Sequence, residues 1–155
     1  MTTAISLSVL DSSLYIPELR PKRKESALQE MVSRAHRVGA VRQPSLLLDT
    51  LSLRERLITT AIGKGVAVPY LRSVLVVEPR LVLARSRKGI DWGALDEVPV
   101  QIAVLVLSSA ELSEEMHHDL IARAVAALRT QRGRQRVMAA ESFDAVAAVF
   151  REVTA

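Results

Sequence analysis

The segment Val98–Leu107 constrains the fold of this chain more than any other feature, because it is almost continuously apolar. Its length is about half of the roughly 20 residues that a membrane-spanning helix requires. A strand in the interior of a covered sheet needs apolar side chains on both of its sides, and such a run supplies them. The segment therefore predicts a long strand that is buried on both faces.

The rest of the chain predicts helices before and after a group of strands, from helical spacing of apolar residues and from capping residues and glycines. The predicted helices are Lys24–Val38, Pro44–Glu55, one that follows Ser113 and ends with Arg129 and Arg132 before Gly133, and Ser142–Arg151. The other predicted strands are Gly65–Tyr70, Ser73–Val77 and Arg80–Ala84, with Lys88-Gly89 as a turn. Neither a linker nor an internal repeat is evident, so one domain over residues 1–155 is expected.

Composition and the N-terminal sequence exclude several classes of protein. The chain contains no cysteine, which excludes a disulfide scaffold, a thiolate zinc site and a cysteine nucleophile. The first residues lack the basic region of a signal peptide, and Asp11 interrupts the first apolar stretch. We therefore expect a cytoplasmic protein that does not insert into a membrane.

The net charge of +4 is concentrated in two basic clusters, Arg20–Lys24 and the arginines from Arg123 to Arg136. Basic clusters are typical of nucleic-acid-binding proteins. No aromatic residue lies within either cluster as a platform on which a base could stack. We therefore interpret both clusters as solvated surface and helix-end charge, and we do not expect nucleic acid to be the partner.

Short catalytic motifs are absent, including HExxH, GxSxG, the Walker loop and GxGxxG. His117 and His118 are adjacent, so on a helix they point about 100° apart and are poorly placed to bind one metal ion. Gly63-Lys64-Gly65 is too short to count as a phosphate-binding loop by itself. These patterns predict neither a metal site nor a cofactor, and alone they name no reaction.

A longer arrangement of residues carries a resemblance to a known family. Arg54-Glu55 is followed by Gly63-Lys64-Gly65-Val66-Ala67-Val68-Pro69-Tyr70. This resembles the active-site segment of the enzyme IIA (EIIA) domains of the bacterial phosphotransferase system, in the fructose–mannitol class and its nitrogen-regulatory branch. Those domains carry Arg-Glu and then a Gly-x-Gly-hydrophobic-Ala-hydrophobic-Pro-His run. Further similar segments are Lys88–Asp96, Pro99-Val100 and His117–Ala122, so the resemblance extends from about Leu7 to Val153.

The resemblance implies an α/β fold: a single domain with a mixed central sheet of four or five strands, flanked by helices on both faces. The order of helices and strands predicted above agrees with that architecture. The resemblance also implies a site at which phosphate is received from the phosphocarrier protein HPr.

Tyr70 stands where the family has the histidine that takes the phosphoryl group. A neutral imidazole has a free lone pair at pH 7 and attacks phosphorus directly. A phenol, with a pKa near 10, is mostly protonated and needs a base. A phosphorylated tyrosine is also a stable ester that would not pass its phosphoryl group onward. The relay chemistry of the family is therefore expected to be lost at Tyr70.

Three further residues match or supplement the family site. Arg54 matches the arginine beside the phosphorylated histidine, where a guanidinium can bind phosphate with two hydrogen bonds. His117 matches the second active-site histidine, and Arg72 adds positive charge two residues after Tyr70. Structural roles are alternatives: a surface salt bridge for Arg54, a hydrogen bond to Tyr70 for His117, and a buried tyrosine that fills a vacated site for Tyr70.

The sequence therefore predicts an EIIA-like protein that acts by binding, as a regulatory or adaptor module. Its predicted partner is an HPr-like protein or another phosphotransferase component, or a regulated kinase, transporter or transcription factor. The alternative is an active phosphocarrier that accepts phosphate on His117, His118 or Tyr70. The sequence gives no prediction of the oligomeric state.

Overall fold

The computed structural model describes residues 9–153. Its helices are α1 (Lys24–Arg37), α2 (Pro44–Leu57), α3 (Glu114–Leu128), α4 (Gln131–Ala139) and α5 (Phe143–Arg151). Its strands are β1 (Tyr15–Ile16), β2 (Ala61–Gly63), β3 (Val66–Ala67), β4 (Tyr70–Ser73), β5 (Arg80–Ile90) and β6 (Val100–Ser109). The expectation that the chain begins without a signal peptide rests largely on residues 1–8, which lie outside the described range.

Strand β6 lies inside the sheet. It pairs antiparallel with β5 on one side and parallel with β3 and β4 on the other. Its side chains alternate between two apolar cores, with Leu105 and Leu107 in one and Val104 and Val106 in the other. The prediction of a long strand that is buried on both faces is confirmed.

Helices cover both faces of this sheet, whose order is β1-β5-β6-β3-β2 with β4 also paired to β6. Met31 of α1 and Leu47 of α2 belong to the core on one face. Leu128 of α3 and Phe150 of α5 belong to the core on the other face. Parallel and antiparallel pairs both occur, so the predicted α/β fold with a mixed sheet is confirmed.

Strands β3 and β4 lie end to end along the same side of β6. Val66 pairs with Ile102 and Tyr70 with Val106, which is the same register on both sides of a two-residue break. Pro69 lies in the break and has no N–H to donate to a ladder, although its carbonyl accepts a hydrogen bond from the Val106 N–H (2.9 Å). The predicted strand Gly65–Tyr70 is therefore divided, and Tyr70 begins β4 instead of ending a strand.

The predicted strand Ser73–Val77 is wrong. Strand β4 ends at Ser73, and the Val76 N–H donates to the Ser73 carbonyl (3.1 Å), which closes a turn. Val77 donates to the carbonyl of Ala40, after α1. This segment is therefore a connection that crosses the end of α1. Its β-branched residues are equally typical of a strand, so composition alone could not separate the two.

The predicted turn at Lys88-Gly89 is also wrong, because both residues lie within β5. The pairing of β5 with β6 changes register between Arg85 and Ile90, and Gly89 has a φ of +83° there. A Cβ on Gly89 would lie 2.7 Å from the Cβ of Pro99. The glycine therefore permits an irregular strand and a close approach, where the sequence suggested a chain reversal.

The helix after Ser113 ends earlier than predicted. Helix α3 stops at Leu128, and Thr130 begins α4 by accepting a hydrogen bond from the Gly133 N–H (3.0 Å). Gly133 lies within α4, where a Cβ would be 1.9 Å from the carbonyl oxygen of Ala127. The glycine is required by the close packing of α4 against the end of α3 and does not mark a helix end.

Other predicted helix ends are close to those observed. Ser113 caps α3 and Ser142 caps α5, and each side chain accepts a backbone N–H three residues later. Gly39 follows α1 with a φ of +81°, a left-handed conformation that favours glycine. Among residues 9–153, no helix has both the length and the apolar character needed to cross a bilayer.

Candidate functional site

The start of β4 presents Tyr70 at the protein surface. Its neighbours Pro69 and Leu71 are buried, whereas Tyr70 is 40% exposed. The alternative that Tyr70 is a buried residue filling a vacated site is therefore wrong. The phenol is instead accessible at the position where the family resemblance places the phosphoryl acceptor.

Arg54 lies in the last turn of α2, directly against Tyr70. Its guanidinium carbon is 5.6 Å from the centre of the Tyr70 ring, which is a cation–π distance. Its Nη1 donates to the Tyr70 carbonyl oxygen (3.3 Å). No ion pair of Arg54 occurs within residues 9–153, so the alternative of a surface salt bridge is not observed there.

His117 lies in the first turns of α3 and packs behind Tyr70. The two ring centres are 5.9 Å apart, and His117 is only 6% exposed. Its Nδ1 makes a 2.6 Å hydrogen bond with the hydroxyl of Ser108, at the end of β6. The alternative of a hydrogen bond between His117 and Tyr70 is not observed within residues 9–153: His117 bonds to Ser108 instead, and the rings of His117 and Tyr70 meet by packing.

Burial lowers the pKa of His117 below its ordinary value, and the charges of His118, Arg72 and Arg54 act in the same direction. Glu114 opposes them. The neutral imidazole is therefore favoured, because the surrounding cations and the loss of solvent both disfavour its protonated form. The folded protein binds a proton at this site less readily than the unfolded chain.

This pKa shift predicts a pH dependence of stability. The stabilisation that it contributes is present above about pH 6.5, the ordinary pKa of histidine, and is lost as the pH falls through the lower pKa of the folded state. We expect the stability difference between the wild type and His117→Gln to shrink as the pH falls from about 7.5 to about 5. Urea unfolding of both proteins measures it. His36 and His118 are common to both, and a difference that is independent of pH would contradict the prediction.

Arg72 and His118 complete the predicted set. Arg72 donates from Nε to the Leu112 carbonyl (2.7 Å) and from Nη2 to the Ala110 carbonyl (2.9 Å). Arg72 therefore holds the loop that precedes α3 and also contributes positive charge near His117. His118 is exposed, and its ring centre is 5.8 Å from that of His117. A phosphate-binding role for Arg54 and Arg72 remains a prediction.

Glu55 supports the site from inside the protein, in a role that the sequence does not predict. Its Oε1 accepts from the Trp92 Nε1 (2.8 Å), the Thr60 N–H (2.8 Å) and the Thr59 hydroxyl (3.0 Å). Its Oε2 accepts from the Thr60 hydroxyl (2.7 Å). The available signal was the spacing of Glu55 four residues after the buried Leu51, which places a polar side chain on the apolar face of α2.

Ser108 was also missed. It is fully buried, and it pairs with Arg72 in the register between β4 and β6. The sequence signal was weak: a serine at the end of a long apolar strand, next to the strand that carries Tyr70. Knowing that β4 and β6 are neighbours is necessary before this position can be placed beside His117.

An apolar pocket of about 420 Å³ lies beside Tyr70. The end of α2, the start of β2 and one side of α3 line it. Exposed apolar residues surround its opening, and we call them the apolar rim: Leu57, Ile58, Ile62 and Tyr70. Leu57 and Ile58 are 74% and 78% exposed. Exposed apolar groups that adjoin a cationic side chain are typical of a surface that binds another protein.

The arginines of the second basic cluster are largely engaged within the protein. Arg123 is buried and pairs with Asp119 (3.1 Å), while Arg136 pairs with Glu152. Arg134 donates to the last carbonyl groups at the end of α3. Within the described part of the chain, no group of three or more His, Cys, Asp or Glu side chains is placed to hold a metal ion.

Comparisons with known proteins identify relatives over nearly the whole chain. The family described as phosphoenolpyruvate-dependent sugar phosphotransferase system, EIIA 2, matches residues 8–153. The fructose-specific EIIA component of Haloferax volcanii is 31% identical over 153 residues, covering 95% of this chain and 99% of that protein. The fructose-specific EIIABC component of Bacillus subtilis is 27% identical over 128 residues, or 83% of this chain, and the matched region is 20% of that longer protein.

A solved structure with the same fold is the nitrogen regulatory protein IIA-Ntr from Neisseria meningitidis. Its TM-score is 0.85 at 22% sequence identity, and the match covers 94% of this chain and 99% of that one. This likeness supports the fold, whereas the family match and the Haloferax volcanii relative carry the evidence from sequence.

Proposed function

Because this chain belongs to the EIIA 2 family of the phosphoenolpyruvate-dependent sugar phosphotransferase system, we propose that it is an EIIA-like protein that acts by binding. In this proposal it is a cytoplasmic regulatory or adaptor module, made of one EIIA-like domain over residues 1–155. It does not carry phosphate at the usual position. The observation that carries the proposal is the exposed phenol of Tyr70, with Arg54 stacked against its ring.

The chemistry of the site supports binding in preference to relay. A neutral phenol is a much weaker nucleophile toward phosphorus than a neutral imidazole, whose ring nitrogen carries a free lone pair at pH 7. His117 supplies an imidazole, but it is buried and its Nδ1 is bonded to Ser108. In this proposal Arg54 and His117 surround a position at which the nucleophile of a phosphoryl transfer is absent.

The proposed partner surface is the apolar rim together with Arg54. EIIA domains partner with the EIIB and HPr components of the phosphotransferase system, and one of these is the partner that we propose first. A regulated kinase, transporter or transcription factor is the other class of partner for an adaptor. In either case the exposed Leu57 and Ile58 would supply apolar contact, and Arg54 would supply charge.

Incubation of the chain with phosphoenolpyruvate, enzyme I and HPr tests the proposal. We expect the intact mass of the wild type to remain unchanged, because no accessible imidazole stands at position 70. HPr in the same mixture is the internal control, since its mass must increase by one phosphoryl group. A phosphoryl group on the chain would support the alternative, an active phosphocarrier. Peptide mapping would then assign it to His117, His118 or Tyr70.

A further inference from the structure

Some N–H donors of the Arg54 guanidinium have no hydrogen-bond partner among residues 9–153. A guanidinium has five N–H donors. Within residues 9–153 the hydrogen bond of the Arg54 guanidinium is the one from Nη1 to the Tyr70 carbonyl. Arg54 is exposed, and that bond together with the ring of Tyr70 fixes its position. The structure therefore holds a cation in place at the rim without neutralising it.

The charge around His117, which packs behind Tyr70, is mainly positive. Arg72 and Arg54 both act on His117 as cations, and the exposed His118 has its ring centre 5.8 Å from that of His117. Arg72 is bonded only to uncharged carbonyl groups in the described structure, so its charge is also not neutralised there. Glu114, at the start of α3, is the acidic group that acts on His117. A dianion brought to Tyr70 would meet the fixed guanidinium of Arg54, and the positive charge of Arg72 acts on the same part of the surface through its effect at His117.

Position 70 has no imidazole that could receive a phosphoryl group. The site can therefore bind a phosphorylated partner without taking the phosphoryl group from it. Tyr70 provides a hydroxyl that can donate a hydrogen bond to a phosphoryl oxygen. The imidazole of His117 lies behind it, 6% exposed, with Nδ1 already bonded to Ser108. A phosphoryl group that arrives on a partner protein can therefore be bound by Arg54 and Tyr70 while its own P–N bond stays intact.

We infer that this surface selectively binds the phosphorylated form of a phosphohistidine-bearing partner protein and leaves the phosphoryl group on that partner. The inference rests on the proposed function, because it names the state of the partner that the binding module recognises. The apolar rim supplies contact with the partner surface around its phosphohistidine, and Arg54 supplies the discrimination between the two forms.

The test compares the affinity of the chain for phosphorylated and unphosphorylated HPr. HPr is kept phosphorylated with phosphoenolpyruvate and catalytic enzyme I, and both titrations contain the same inorganic phosphate. Only the phosphorylated form can make a charge-assisted hydrogen bond between its phosphoryl oxygens and Arg54, and such bonds are about twice as strong as neutral ones. We expect the phosphorylated form to bind at least about tenfold more tightly, which corresponds to about 1.4 kcal/mol.

The matched variants are Arg54→Ala and Arg129→Ala. Both remove one exposed positive charge, but Arg129 lies at the opposite end of α3 from His117. We expect Arg54→Ala to lose the preference for phosphorylated HPr, and Arg129→Ala to keep it. Urea unfolding of the two variants checks that both are folded.

The remaining outcomes are also decisive. Equal affinity for both forms of HPr, or a preference that survives in Arg54→Ala, would overturn the inference and leave the proposed binding function in place. Transfer of the phosphoryl group to the chain would overturn both proposals in favour of an active carrier. Absence of binding to either form would remove HPr as the partner and would overturn the inference with it.

Discussion

Replacement of Tyr70 by histidine is expected to produce a protein that accepts an acid-labile phosphoryl group from phosphorylated HPr, whereas the wild type accepts none. The substitution restores an uncharged ring nitrogen at the start of β4. In the transfer the P–N bond of the HPr phosphohistidine breaks, a new P–N bond forms to the nitrogen at position 70, and the electron pair remains on the departing imidazole. The expected change is from no transfer to measurable transfer.

The surroundings that would assist this transfer are already in place. Arg54 lies against the residue at position 70 and His117 lies behind it, so a guanidinium can offset charge on the transferring phosphoryl group. Ser108 fixes the His117 ring through Nδ1. A smaller side chain at position 70 would also expose more of His117 and open space for phosphate between the two.

Tyr70→Phe is the matched control, because it keeps the ring and supplies no nitrogen. We expect it to remain unlabelled, like the wild type. Labelling is measured by intact mass before and after brief acidification, which removes phosphate from histidine but not from tyrosine. A labelled wild type would favour the active-carrier alternative. If Tyr70→His is not labelled, the prediction that this variant accepts a phosphoryl group is refuted. The surface that docks HPr would then have diverged as well.

The sequence predicted which residues lie together around Tyr70 better than it predicted several of the strands. Arg54, Tyr70 and His117 come from three separate segments, and the structure brings them together, because the family resemblance carries long-range information that spacing alone does not. The long apolar run likewise identified β6, since burial on both faces leaves a strong signal in composition.

The errors share a physical cause, which is tertiary contact. Gly89 and Gly133 suggested a turn and a helix end, but each is required where backbone segments approach closely. The pairing of Ser108 with His117 depends on the neighbour relation between β4 and β6, which no local pattern contains. Local propensity therefore gave the kinds of element, and packing between elements decided where glycine and buried polar groups were needed.

Glu55 is the second position at which a single substitution is expected to have a large effect. Its buried carboxyl group accepts four hydrogen bonds, which join the last turn of α2 to the Thr59-Thr60 connection and to Trp92. Glu55→Ala leaves the buried Trp92 N–H and the Thr60 N–H without an acceptor. Each buried donor left unpaired costs about 1–3 kcal/mol. Because the Thr60 N–H is only partly buried, we expect a loss in the lower part of the range for two donors, roughly 2–4 kcal/mol in the free energy of unfolding.

Glu55→Gln is the control that isolates the role of the acceptor atoms. Three of the four hydrogen bonds reach Oε1. An amide oxygen in that place has two lone pairs, so it can keep the bonds from the Trp92 and Thr60 N–H groups, and the Thr59 hydroxyl can turn to another partner. The amide N–H₂ would occupy the place of Oε2, where the Thr60 hydroxyl can turn and accept instead of donating. We therefore expect Glu55→Gln to lose less than about 1 kcal/mol.

The fluorescence of Trp92 reports directly on the unfolding of both Glu55 variants, because Trp92 is the single tryptophan of the chain and is buried against Glu55. Urea unfolding followed by its fluorescence measures the two free energies, with far-UV circular dichroism as an independent probe. Equal losses for the alanine and glutamine variants would show that the negative charge of Glu55 matters, and not its acceptor oxygen. Because α2 also carries Arg54, loosening this network should weaken the placement of Arg54 beside Tyr70 and lower the transfer to Tyr70→His when the two substitutions are combined.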